Sequence, residues 1–202
     1  MASNAAEGQE LGPLLPARIL LVTGPPGSGK TTLIQHIYDH YSKLGVSVVG
    51  IITREYRVGE ERAGFKLRNL GTGEEGWLAR KQGGSGPKIG QYNVDSKDLE
   101  RIGVAALLNA MRENARLVLV DEIGPMEMTS RAFRTAISQL LASGKATVAT
   151  LRHDSRYPEV EEARRTVDTR TILVTLANRE NVPQEIVAEV DAMLGLTGGG
   201  PS

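Results

Sequence analysis

Nine residues, Gly24-Pro25-Pro26-Gly27-Ser28-Gly29-Lys30-Thr31-Thr32, restrict the folds open to this chain more than any other feature. They follow a short apolar run at 17–23 and precede a segment at 30–44. There Leu33, Ile34, Ile37, Tyr38, Tyr41 and Leu44 recur at helical spacing. The pattern is G-x-x-x-x-G-K-[ST], set between a buried strand and a helix. Its physical demand is close approach of backbone to a polyanion. Gly27 and Gly29 can take angles that a side chain forbids, so successive N–H groups turn inward toward phosphate oxygens. The helix start adds its positive dipole end. Lys30 is then placed to reach β- and γ-phosphates, and the Thr31 hydroxyl to ligate Mg²⁺. The predicted partner is therefore a nucleoside triphosphate.

The remaining periodicity alternates in the same way. Residues 46–53, 116–120, 146–151 and 171–176 read as strands, and 91–95 as a short one. A helix is predicted over 96–114, capped by Ser96, with Leu99, Ile102, Ala106, Leu107 and Ala110 inward. Others are expected over 129–143, opened by Thr129 or Ser130, and over 184–194. Such alternation predicts an α/β fold, a mainly parallel sheet with helices on both faces. Of the 23 glycines, nine fall within 54–90. Two apolar stretches around Gly71-Thr72-Gly73 make that stretch a small antiparallel β insertion. One domain over 17–195 is expected, between loose tails at 1–16 and 196–202.

The phosphate loop needs an acid at the end of another buried strand. Leu117-Val118-Leu119-Val120-Asp121-Glu122 supplies it. Asp121 is placed to hold Mg²⁺, and Glu122 to orient and deprotonate an attacking water. Glu127 either supports these acids or merely places charge near the next helix. Asn178-Arg179 follows a strand, where ligand-facing loops lie. Asn178 is a candidate for a base edge or a plain turn former, and Arg179 for the base ring or a phosphate. No N-K-x-D segment occurs, which argues against strict GTP specificity. His36 and His40, at i and i+4, lack a third ligand and read as surface residues. Arg152, Arg156, Arg164 and Arg165 read as a solvated helix face.

Composition removes several function classes. Lys and Arg total 24, as do Asp and Glu, so no global field draws in nucleic acid or an anionic membrane. No clear nucleic-acid site is expected. Without cysteine, thiolate metal sites and cysteine nucleophiles are excluded. No run of 18 apolar residues occurs. A cytoplasmic protein, with a monomer favoured, is the expectation.

Five segments in order resemble one family: 24–32 (GPPGSGKTT), 57–65 (RVGEERAGF), 89–95 (IGQYNVD), 120–127 (VDEIGPME) and 174–179 (VTLANR). The chain is similar to the nucleoside-triphosphatases that include the cancer-related nucleoside-triphosphatase and its bacterial and archaeal relatives. One departure is Glu60, where the family pattern has a second glycine. The resemblance implies a RecA-like P-loop fold and Mg²⁺-dependent hydrolysis of ATP, GTP and other NTPs to NDP and phosphate. It also singles out Arg57 and Arg62, among the insertion's cations, as candidate arginine fingers. Two rival readings stay open here: a P-loop kinase acting on a nucleoside, nucleotide or polynucleotide, and a slow-hydrolysing nucleotide switch.

Overall fold

The computed structural model describes residues 18–166 and 168–196. The N-terminal tail and residues 197–202 lie outside them. The chain opens with β1 (Ile19–Gly24), all six residues buried, followed by α1 (Lys30–Lys43). Then come β2 (Val48–Val58), β3 (Glu61–Asn69), β4 (Glu75–Arg80), β5 (Lys88–Ile89) and β6 (Tyr92–Val94). The second half holds α2 (Ser96–Asp98), α3 (Ala105–Arg112), β7 (Leu117–Ile123), α4 (Arg131–Ala142), β8 (Thr147–Arg152), α5 (Pro158–Ala163), β9 (Thr169–Leu173) and α6 (Val182–Leu194).

Among the described residues, nine strands form one sheet, in the order β5-β6-β4-β3-β2-β7-β8-β1-β9. From β2 to β9 the neighbours are parallel, whereas β2-β3-β4-β6-β5 is an antiparallel extension. The α/β P-loop class and the antiparallel insertion are therefore as expected. The RecA-like feature is the place of β8, which separates the phosphate-loop strand β1 from the acid-bearing strand β7.

Strand alternation divides the core in two. Leu20 and Val22 pack with Leu33, Ile34 and Ile37 of α1 and with Ile186 and Val190 of α6. Leu21, Val118 and Val120 face the other way, toward Leu107 of α3 and Phe133, Ile137 and Leu140 of α4. Covered on both faces, the central strands read as continuous apolar runs.

Several boundaries differ from expectation, each for a local reason. Strand β2 runs five residues past Thr53 because β3 pairs with it as far as Val58; Arg54 to Val58 are all exposed, so burial leaves no signal there. Asp95, not Ser96, caps the next helix, accepting the Asp98 N–H at 3.3 Å. That helix ends at Arg112, and a π-helical stretch, Leu99–Val104, joins its two α segments. Here Gly103 lies so close to β3 that a Cβ would sit 3.1 Å from Leu67 Cδ2. The last strand ends at Leu173 rather than 176, although the Val174 N–H still reaches Thr23 O at 2.7 Å. Helix α5 has six residues, too few to show a period. Among the described residues, no helix is long and apolar enough to cross a membrane.

Candidate active site

The loop leaving β1 is shaped by its glycines. Gly27 and Gly29 have φ of 77° and 97°, and Gly29 is the residue that enters α1. A side chain at Gly24 would collide with Val174 O, so the chain after β9 packs directly on the loop's first residue. Pro25 and Pro26 form the exposed outer turn, closed by the Ser28 N–H donating to Pro25 O at 3.2 Å. Lys30 is only 8% exposed, and its Nζ donates to Gly24 O at 2.9 Å and Pro25 O at 3.2 Å. Thr31 and Thr32 stand exposed in the first turn of α1, which holds no acidic residue to offset its positive end.

Opposite the loop, β7 loses register with β8 between Val120 and Ile123, and the two acids emerge at that irregularity. Asp121 is 2% exposed. Its Oδ1 accepts the Thr150 hydroxyl at 2.5 Å, while its Oδ2 is buried without a hydrogen-bond partner among the described residues. Burial pushes the Asp121 carboxyl above its ordinary value; the Thr150 and Thr31 hydroxyls and the Lys30 charge pull it back. A buried carboxylate oxygen with no donor, beside a threonine hydroxyl at a helix start, suits a hard divalent cation. The donor set thus fits Mg²⁺. Among the described residues no group of three or more His, Cys, Asp or Glu could hold a metal, so phosphate oxygens and water would complete the shell.

Glu122 is half-buried. Burial raises its pKa, the Asp121 charge raises it further, and Lys30 and Arg152 lower it. Glu127 resolves the question left open by sequence. It lies 2% exposed at the start of a 3₁₀ turn, Glu127–Thr129, and its carboxyl is held well above the usual range by burial and then by Glu122. Both carboxylates close on Gly124. A Cβ there would meet Glu122 Oε1 at 2.5 Å and Glu127 Oε2 at 2.8 Å. Glu127 is thus packed against the acid pair, not displayed on a helix start. Its burial and the Thr150 contact escape a sequence reading, because neither follows from a motif.

The other candidates lie elsewhere or are engaged. Asn178 Oδ1 accepts from Thr175 N at 2.7 Å and Thr175 Oγ1 at 3.1 Å, and its Nδ2 donates to Leu173 O at 2.8 Å. Its side chain is a turn former, and Arg179 beside it is exposed. Arg57 and Arg62 pair across the β2–β3 hairpin and share Glu55, at 3.0 and 2.5 Å. Neither makes a hydrogen bond or ion pair with the loop or the acids among the described residues. His36 and His40 are stacked on α1 with ring centroids 6.4 Å apart. Arg152 is not on a helix face, as its sequence neighbourhood suggests, but is the last residue of β8.

The model of the NTPase family matches residues 19–187, the loop, both acids and the Asn178-Arg179 turn included. This chain belongs to the NTPase family. Among similar NTPase-family proteins, the nucleoside-triphosphatase THEP1 of Thermofilum pendens is 39% identical over 88% of this chain and 98% of its own. The protein of the same name from Thermotoga maritima is 41% identical over 84% of this chain and 93% of its own. Two solved NTPase structures superpose with a TM-score of 0.73. They are THEP1 of Aquifex aeolicus, at 29% identity over 86% of this chain and 99% of that one, and a human cancer-related nucleoside triphosphatase, at 35% over 87% and 98%.

Proposed function

We propose that this nucleoside-triphosphatase uses Mg²⁺ to hydrolyse ATP, GTP and other NTPs to NDP and phosphate, with broad base tolerance. One observation carries the reading: an unpartnered buried oxygen of Asp121 faces a threonine-bearing phosphate loop, with a second carboxylate next along the strand. Thr31 and Asp121 would hold Mg²⁺, which when bound would supply positive charge to offset that of the triphosphate. The backbone N–H groups of the loop from Gly27 to Thr31 and the Lys30 ammonium bind the phosphates. Glu122 takes the proton of a water aimed at the γ-phosphorus. For that it must be ionised, and Lys30 and Arg152 hold down a pKa that burial would otherwise push higher. Base tolerance is supported by Asn178, whose amide is spent on its own turn.

The test is Glu122→Gln. Binding of Mg-NTP should stay close to wild type, while phosphate release without any acceptor falls by about 100-fold or more. Unchanged release would remove Glu122 from the base role. Wild-type release only in the presence of an acceptor would favour phosphoryl transfer over hydrolysis.

A further inference from the structure

Beyond Lys30, the site as described offers no cation for charge building up on the γ-phosphate. Lys30 is engaged by the carbonyls of Gly24 and Pro25, and Arg57 and Arg62 are tied to Glu55. The end of β8 supplies one. In the sheet, Arg152 is the register partner of Gly24, the first residue of the phosphate loop. Their chains are therefore one strand spacing apart, about 4.8 Å. On its other side β8 borders β7, so Arg152 emerges between the loop and the two acids.

Alternation fixes which face it uses. Val148, Thr150 and Arg152 occupy one side of β8. Val148 packs in the α1-side core with Leu119 of β7, and Thr150 bonds Asp121, two residues beyond Leu119. Arg152 accordingly shares the face that carries α1, Thr31 and Asp121. Among the described residues the guanidinium is held by Asp154, through Nε and Nη2 at 3.2 Å each; Arg152 is half-exposed and Asp154 exposed. A two-pronged grip on a carboxylate is the geometry that also fits a phosphate.

We propose that Arg152 is the cation that meets the γ-phosphate during hydrolysis, exchanging Asp154 for phosphate oxygens when a triphosphate binds. The inference rests on the hydrolase reading above. In the step it serves, a water oxygen bonds to the γ-phosphorus and the bond from phosphorus to the β-bridging oxygen breaks. The electron pair leaves on the diphosphate, and the water proton passes to Glu122. Arg152 exchanges no proton; it offsets charge on the γ-oxygens. The diphosphate product lacks its partner, so Arg152 distinguishes NTP from NDP.

The experiment compares Arg152→Ala and Arg152→Lys with wild type. Phosphate release from MgATP is measured alongside the binding of MgADP, and MgATP binding is read in a Glu122→Gln background. The Ala variant should lose about 100-fold or more in turnover, with MgATP affinity weakened and MgADP affinity kept. The Lys variant should recover part of the rate, and free guanidinium should partly rescue the Ala variant. Turnover in Arg152→Ala within about threefold of wild type overturns the assignment. So does an equal loss of MgADP and MgATP affinity, which marks a structural role. Wild-type protein releasing no phosphate from MgATP or MgGTP overturns the hydrolase reading together with it, whereas an active wild type with a neutral variant overturns Arg152 alone.

Discussion

Gly124 shows how much of this site is decided by a missing side chain. The two glutamate carboxylates crowd the space a Cβ would fill, and a methyl group there would lie 2.5 Å from one and 2.8 Å from the other. Carboxylates pushed apart by a methyl group lose the placement that in-line attack requires, and misplacement of about 1 Å can cost 10²-fold in rate. Gly124→Ala is thus expected to cut phosphate release by tenfold or more, on the order set by that cost. Mg-NTP binding should persist, because the loop and Thr31 are untouched. A variant with wild-type turnover would show that the glutamates can move apart freely. At this scale the sequence is informative where the chemistry needs consecutive residues. The loop and the Asp121-Glu122 pair are legible because their spacing is local. Glu127, Thr150 and Arg152 are not, because what matters about them is a neighbour on another strand or across a turn.

Elements were legible in proportion to their burial. The five parallel strands and α1, α4 and α6 carry apolar runs or helical spacing, and only their ends shifted. The hairpin arm of β2 beyond Thr53 was missed because its residues are all exposed and alternation has no core to report on. The π-helical stretch has the sequence pattern of plain helix, since a single widened turn leaves the apolar spacing on either side intact. Helix α4 shows the converse: of the two openers the sequence offers, Thr129 and Ser130, the structure uses Ser130. Ser130 Oγ accepts the Phe133 N–H at 3.2 Å and donates to Glu100 Oε1 at 3.2 Å. Removing that hydroxyl leaves an orphan donor at a helix start that is buried. Ser130→Ala should cost about 1 kcal/mol, read as a lower denaturant midpoint with unchanged slope. A midpoint equal to wild type would mean that water replaces the cap.

For the molecule as a whole, the buried acids couple stability to pH. Glu127 is held well above its ordinary 4.5, so the folded chain binds its proton more readily than the unfolded chain. Stability from this group is greatest below the ordinary value, falls as pH climbs through the window up to the raised value, and is level above it. Asp121 and Glu122 are raised too and act in the same direction. Glu127→Gln keeps the shape and cannot ionise. The nucleotide-free variant should match wild type in the acid end of the window and exceed it at pH 8, with a flatter slope between. Equal slopes in urea titrations at several pH values would show that Glu127 stays ionised in the folded chain.

The position of β8 has one more consequence, which concerns time rather than space. Loop and acids are separated by a strand that the chain makes after both of them, since β8 follows β1 and β7 in sequence yet lies between them in the sheet. A growing polypeptide that has emerged only through β7 holds the phosphate loop and both acids, but not the spacer that sets the gap between them. On the function proposed above, nucleotide capture across the gap waits until β8 has inserted. During synthesis the nascent chain carries a recognisable phosphate-binding motif well before it can clasp a triphosphate across the gap.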